Sequence, residues 1–287
     1  MNNFDNIIDN SNYRKSYKKS DWTINKNKER KEVYTLIDNT LLELISSEDN
    51  FKKYLNMQSK FDKYSVANVI LIYAQMPEAT QLKEYNKWKE AGAKNIKSGA
   101  INLLEPKEYT TSTGSVGISY EPKKVFDISK TDLPQQKKEN KMDERLVLKS
   151  ILYNSPIQAR TVDSLENGKS AEWNQNDNTL SIVKGLGSPT IFYSITSELA
   201  RYSFSELPDS SITNFKCNCV SYMICKKLGI DVSSYAIKIP NQLSKMENKV
   251  IRAELTSVRS VMEEINGRIN QYFEELAKTN KNKEQER

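Results

Sequence analysis

The stretch that most limits how this chain can fold is residues 63–106, KYSVANVILIYAQMPEATQLKEYNKWKEAGAKNIKSGAINLLEP. Val66, Val69, Ile70 and Tyr73 recur at helical spacing, which gives a helix with one buried face. Ser65 precedes it, where a hydroxyl can accept from the unpaired amides of the first turn, and the helix is predicted to run to Ala74. Pro77 lacks the N–H that continuation needs. A second helix is predicted over residues 79–90, with Leu82, Tyr85 and Trp88 or Lys89 on neighbouring faces. Gly92 and Gly99 punctuate its exit, and residues 100–105 are short and apolar enough for a strand.

Upstream, residues 1–27 are rich in Asn, Lys, Ser and Asp and read as a mobile arm. Val33, Leu36, Ile37, Leu41, Leu44 and Ile45 predict an amphipathic helix over residues 28–46, and Ser47 is placed to cap the next. Downstream, residues 114–120 and 123–128 read as two strands joined at Glu121-Pro122. Helices followed by a small sheet make an α+β domain over residues 28–130. Residues 131–141, TDLPQQKKENK, read as a linker. A second domain over 142–244 alternates helices (143–153, 189–204, 212–228) with strands (157–162, 179–183). A long amphipathic helix over 245–276 then precedes a fraying tail that ends at residue 287; this helix suits packing on the second domain or self-association.

Charge is unevenly placed. The net charge is +6, and residues 51–100 hold nine lysines against four acids, +5 of that total. Such a surface suits a polyanion through counterion release; a solvated lysine-rich face, common in Lys- and Asn-rich sequences, is the competing reading. No apolar run approaches the roughly 20 residues needed to span a bilayer, mean hydropathy is −0.69, and the N-terminus lacks a signal-peptide core. A cytoplasmic protein with no membrane partner is therefore expected. The three cysteines, Cys217, Cys219 and Cys225, are too clustered for a disulfide framework.

The ordered blocks Tyr64-Ser65-x-x-Asn68, Gln75 to Thr80, Trp88-Lys89-x-x-Gly92, Lys97-x-Gly99-x-Ile101 up to Pro106, and Val125 to Thr131 resemble the N-terminal domain of ArdC-type antirestriction proteins. These and the related LtrC-like proteins are carried by plasmids and conjugative elements. The resemblance implies a single-stranded DNA-binding domain, which needs a positive groove and flat rings for base stacking. Lys63, Tyr64, Asn68, Tyr85, Lys87, Trp88, Lys94, Lys97 and Lys107 are the candidate contacts, with Tyr109 and Tyr120 as further rings. For each ring, core packing is the competing role.

A second resemblance covers Ile195-Thr196-Ser197-Glu198-Leu199-Ala200-Arg201, which is similar to the zincin helix H-E-L-A-H that follows in these proteins. Its i and i+4 imidazoles share one helical face and one zinc, while the glutamate handles the attacking water. Here Ser197 and Arg201 stand at the two ligand positions and only Glu198 matches. The segment Val220 to Cys225, then Leu228-Gly229-Ile230-Asp231, resembles the next family helix, which puts Asn218 at the third ligand position. Serine and asparagine are poor zinc ligands, and arginine keeps its proton. The expectation is a metallopeptidase-like domain without activity, metal or cofactor, with Arg201 paired to Glu198 at i+3.

Two alternatives stay open: a peptidase using Glu198 with unusual ligands, and a module whose closed cleft holds a protein partner. A thiolate metal site is hindered because residues 217 and 219 point about 200° apart on a helix. Without histidine, a Ser-His or Cys-His nucleophile is excluded, whereas a serine–lysine pair is not.

Overall fold

The computed structural model describes residues 4–111, 113–135 and 143–285, in a mixed α+β arrangement. The helices are α1 (Phe4–Ile45), α2 (Glu48–Lys60), α3 (Val66–Gln75), α4 (Tyr85–Glu90), α5 (Glu144–Leu152), α6 (Ser188–Ser203), α7 (Ser211–Lys227) and α8 (Asn248–Gln285). The strands are β1 (Leu82–Lys83), β2 (Ile101–Thr110), β3 (Val116–Asp127), β4 (Gln158–Val162), β5 (Ala171–Asn174) and β6 (Thr179–Val183). They form two compact units, residues 1–40 with 70–134 and residues 41–69 with 135–287. Residues 41–69, read from the sequence as part of the first domain, thus belong to the second unit.

In the first unit β3 is the central strand, antiparallel to both β1 and β2. The Glu121-Pro122 pair does not make the expected turn; β3 runs straight through it, and the ladder with β2 extends to the Thr110–Val116 pair, beyond which the hairpin closes. The reason is local. β1 pairs only with Phe126 and Asp127, so Pro122, opposite Leu104, has β2 alone beside it, an edge position where a missing N–H is tolerated. The helix expected over residues 79–90 is also shorter. Its first third is drawn into β1 by pairing with β3, and α4 begins at Tyr85. On the outer hairpin Tyr109 lies over Gly117, where a Cβ would come within 2.6 Å of its ring.

Two polar anchors hold this unit. Gln75 of α3 accepts from the Asn102 N–H (2.9 Å) and donates to the Asn102 carbonyl (3.0 Å), filling the place of a neighbouring strand beside β2. Asp127 is buried and accepts N–H bonds from Thr80 (2.7 Å), Gln81 (2.9 Å) and Ser129 (2.9 Å). Burial alone would push its pKa up; the three N–H groups outweigh it and bring the carboxyl below its ordinary 3.8. A depressed folded-state value means the stabilisation is complete above the unfolded value and is lost as pH falls through the folded one. Asp127→Asn is expected to lower unfolding free energy by about 1–3 kcal/mol at pH 7 and to shrink the loss of stability between pH 7 and pH 3. Urea titrations at both pH values measure this, and an unchanged pH 7 midpoint would discount the anchor.

The segment read as a mobile arm is helical from Phe4. Residues 1–45 contain no glycine or proline, so extending the helix outward from the Val33–Ile37–Leu41 stripe adds only the small per-residue cost of propagation. The same reasoning applies to the tail: α8 continues past Leu276 to Gln285. Of the expected linker, residues 131–133 belong to the first unit, with Thr131 bridged to Ile96 and Asp132 accepting from the Lys94 N–H. Residues 136–141 lie outside the described residues.

In the second unit, β6 lies between parallel β4 and antiparallel β5. Ser47 and Asp143 cap α2 and α5. α7 ends at Gly229, whose φ of +75° lets its N–H reach the Lys226 carbonyl while the Ile230 N–H reaches Cys225. α2 packs on α7 through Phe51 and Phe215, 5.2 Å apart. The stripe of α8 through Ile251, Leu255, Val258, Met262, Ile265 and Ile269 is buried, and α8 packs on α5, α6 and α7. Of the two roles open to this helix, its apolar stripe takes the first, packing within its own unit. No helix among the described residues is long and apolar enough to cross a membrane.

Candidate functional site

α6 and α7 lie side by side, fastened by buried hydroxyls. Ser221 donates to the Tyr193 carbonyl (2.6 Å), and Thr196 lies 2.7 Å from Ser221. This pairing sets Arg201 on α6 beside Asn214 in the first turn of α7, with Ser197 and Glu198 on the same stretch of α6. Ser197 and Asn218 are half-buried, and the Asn218 carbonyl accepts from the Tyr193 hydroxyl at 3.4 Å.

Glu198 is 13% exposed. Its carboxylate accepts the Trp173 N–H of β5 at 3.1 Å and lies 3.5 Å from Arg201 Nε. Burial lifts its pKa above the ordinary 4.5, although the Trp173 N–H and the Arg201 charge act in the opposite direction. Arg201 also donates to Asn214 Oδ1 at 2.7 Å and lies 3.5 Å from Asp209. The guanidinium thus ties α6 to the start of α7 and to the loop before it. The glutamate ties α6 to β5.

These residues do not fit a divalent cation. At Arg201, one of the positions that the sequence resemblance expects to hold a ligand, stands a permanently protonated guanidinium paired to Glu198. Ser197 and Asn218, the other two expected positions, are neutral. Among the described residues no group of three or more His, Cys, Asp or Glu side chains is gathered to hold a metal. The cysteines supply no substitute: all three are buried, and burial raises Cys217 to about 11, Cys225 to about 12 and Cys219 well above its ordinary value. They pack as small apolar side chains.

Sequence reasoning missed Trp173, Asp209 and Asn214. β5 is four residues long with a single pair of alternating apolar positions, Ala171 and Trp173, and it forms because β6 lies alongside. Asn214 stands one turn along α7 from Ser210, a cap that was also not read.

The nucleic-acid candidates divide between the units. Lys63, Tyr64 and Asn68 belong to the second unit; Tyr85, Lys87, Trp88, Lys94, Lys97 and Lys107 belong to the first. Trp88 cannot stack on a base. It is 1% exposed, donates to the Phe126 carbonyl at 2.7 Å and forms a core with Ala93 and Ile128. Tyr85 remains 47% exposed, packed edge-on against Phe126. Lys87, Lys94 and Lys97 are exposed on α4 and the loop after it. Lys107 is paired with Glu121 at 3.1 Å. Tyr109 and Tyr120 are exposed on the outer hairpin.

No family model and no curated protein matches the chain. Among solved structures it is similar to the metal-free crystal structure of the antirestriction protein ArdC from the R388 plasmid. That similarity has 16% identity and a TM-score of 0.51, and covers 72% of this chain and 86% of that one. The Mn(II)-bound structure of the same protein aligns at 14% identity over 72% and 85% of the two chains, with a TM-score of 0.48. By the first of these likenesses the chain has an ArdC-like fold.

Proposed function

We propose that this chain is an ArdC-type antirestriction protein of a plasmid or conjugative element, acting in the cytoplasm as a single-stranded DNA-binding accessory. In this reading its metallopeptidase-like unit has no catalytic activity. The observation that carries the second half is the Arg201–Glu198 pair at 3.5 Å, which puts a fixed cation where a ligand would be needed and engages the one residue that matches the hydrolytic pattern. The first half is supported by the fold likeness and by Tyr85, Lys87, Lys94 and Lys97, exposed on one helix and its following loop. Lysines neutralise backbone phosphates and an exposed ring offers a stacking face. Occupying incoming strands before host nucleases reach them is how such binding protects DNA.

The test uses the full chain, because residues 41–69 belong to the second unit and a fragment ending near residue 135 would separate them from it. Fluorescence anisotropy with labelled single-stranded and duplex oligonucleotides, at several salt concentrations, is expected to show preference for the single strand. The triple variant Lys87→Glu, Lys94→Glu, Lys97→Glu is expected to bind at least about tenfold more weakly, with a salt slope shallower by about 2, since each phosphate no longer neutralised takes roughly 0.7 from the slope. Equal affinity for duplex, or an unaffected triple variant, would defeat this reading.

A further inference from the structure

Among the described residues β4 pairs only with β6, so one side of it is open. The Gln158 N–H donates to the Asn178 carbonyl at 3.2 Å, and the Val162 carbonyl accepts the Lys184 N–H at 3.0 Å. Backbone groups alternate sides along a strand, so Gln158, Arg160 and Val162 face β6. Ala159 and Thr161 turn their N–H and C=O groups outward. This edge is exposed and carries neither proline nor bulge; of the usual guards against strand addition it has only its five-residue length and Arg160.

Beside the edge lies a cavity of about 660 Å³, lined by Leu148 and Leu152 of α5, Ile182 of β6, and Ile191 and Ile195 of α6. Its charged lining is cationic, Arg160 and Lys184. Each reaches an acid, Asp177 at 4.0 Å and Asp163 at 2.9 Å. Both pairs are exposed, so an incoming carboxylate can replace either acid at little cost.

We propose that this edge and cavity dock an extended segment of a partner polypeptide, apolar at alternate positions and acidic where it passes Arg160 and Lys184. The outward groups of Ala159 and Thr161 would supply backbone bonds and the cavity would take every second side chain, the division of labour in strand addition. The site uses the sheet edge opposite β5, so Glu198 and its partners take no part. It stands whether or not the first unit binds DNA.

The probe is a fluorescent peptide, Glu-Val-Thr-Val-Glu-Val-Glu, titrated against the full chain. A second copy is N-methylated at alternate amides to block strand pairing while keeping its side chains. Saturable binding of the first peptide, with the second at least about tenfold weaker, is expected. Thr161→Pro removes an outward N–H, leaves the β6 ladder intact, and is expected to weaken binding similarly. Amide hydrogen exchange should slow at Ala159 and Thr161 when the peptide is bound. Equal binding by the methylated peptide would reduce the site to a cavity for apolar ligands and overturn the proposal. So would no saturation up to about 1 mM, or undiminished binding by Thr161→Pro.

Discussion

Trp88→Ala is expected to cost the first unit about 3–5 kcal/mol, the usual range for emptying a buried aromatic site. The loss falls on the largest of the fully buried side chains among the described residues. It strips Ala93 and Ile128 of their packing partner, and it leaves the Phe126 carbonyl without its indole donor at the point where β3 meets α4. A unit of this size has about 5–15 kcal/mol in all, so a loss on this scale removes a large share of its stability. Urea unfolding followed by circular dichroism should show an early transition for this unit alone. Tyr85→Ala is the matched control, expected to leave stability within about 0.5 kcal/mol while weakening single-strand binding. If Trp88→Ala kept its stability and lost only DNA affinity, the core assignment would be wrong and the indole would be a base platform after all.

The second large effect is a gain. Ser197→His, Arg201→His and Asn218→Glu together put two imidazoles one turn apart on α6 and a carboxylate on α7, a set of donors that suits zinc. The change also removes the guanidinium that now pairs with Glu198. The triple variant is expected to bind one zinc ion per chain, and at zinc a hundredfold above its dissociation constant to gain about 2.7 kcal/mol of stability. The parent chain should show neither effect. Isothermal titration with zinc, paired with thermal melting, reads both. A folded triple variant that ignores zinc would mean that α6 and α7 do not present these three positions to a common point.

Helix positions were largely legible, because caps and breakers act locally. Ser47, Ser65 and Pro77 each do their work through the backbone of neighbouring residues, and a single sequence shows them. Trp88 was legible as a residue but not as a role. An indole at helical spacing looks the same whether it points at a core or at a ligand, and only the approach of Phe126 and Ile128, some 40 residues on, decides it. β5 and the unbroken β3 were hidden for a related reason: pairing with a distant strand overrides weak local preference and even an internal proline. In the candidate site the sequence marked Ser197, Glu198 and Arg201, all on one helix. It could not mark Trp173, whose contribution is a backbone N–H that every residue type but proline supplies.

The allocation of residues 41–69 to the second unit bears on how the protein is made. Phe51 on α2 packs on Tyr54 of its own helix and on Phe215, and the second of these leaves the ribosome 164 positions later. At about 5–20 residues per second that interval is roughly ten to thirty seconds. For that time the apolar face of α2, with Phe51, Tyr54 and Leu55, is synthesised and waiting while the chain around it grows. The nascent protein therefore offers a chaperone-sized window early in translation, and a codon change that slows synthesis between residues 70 and 210 would lengthen it without altering one amino acid.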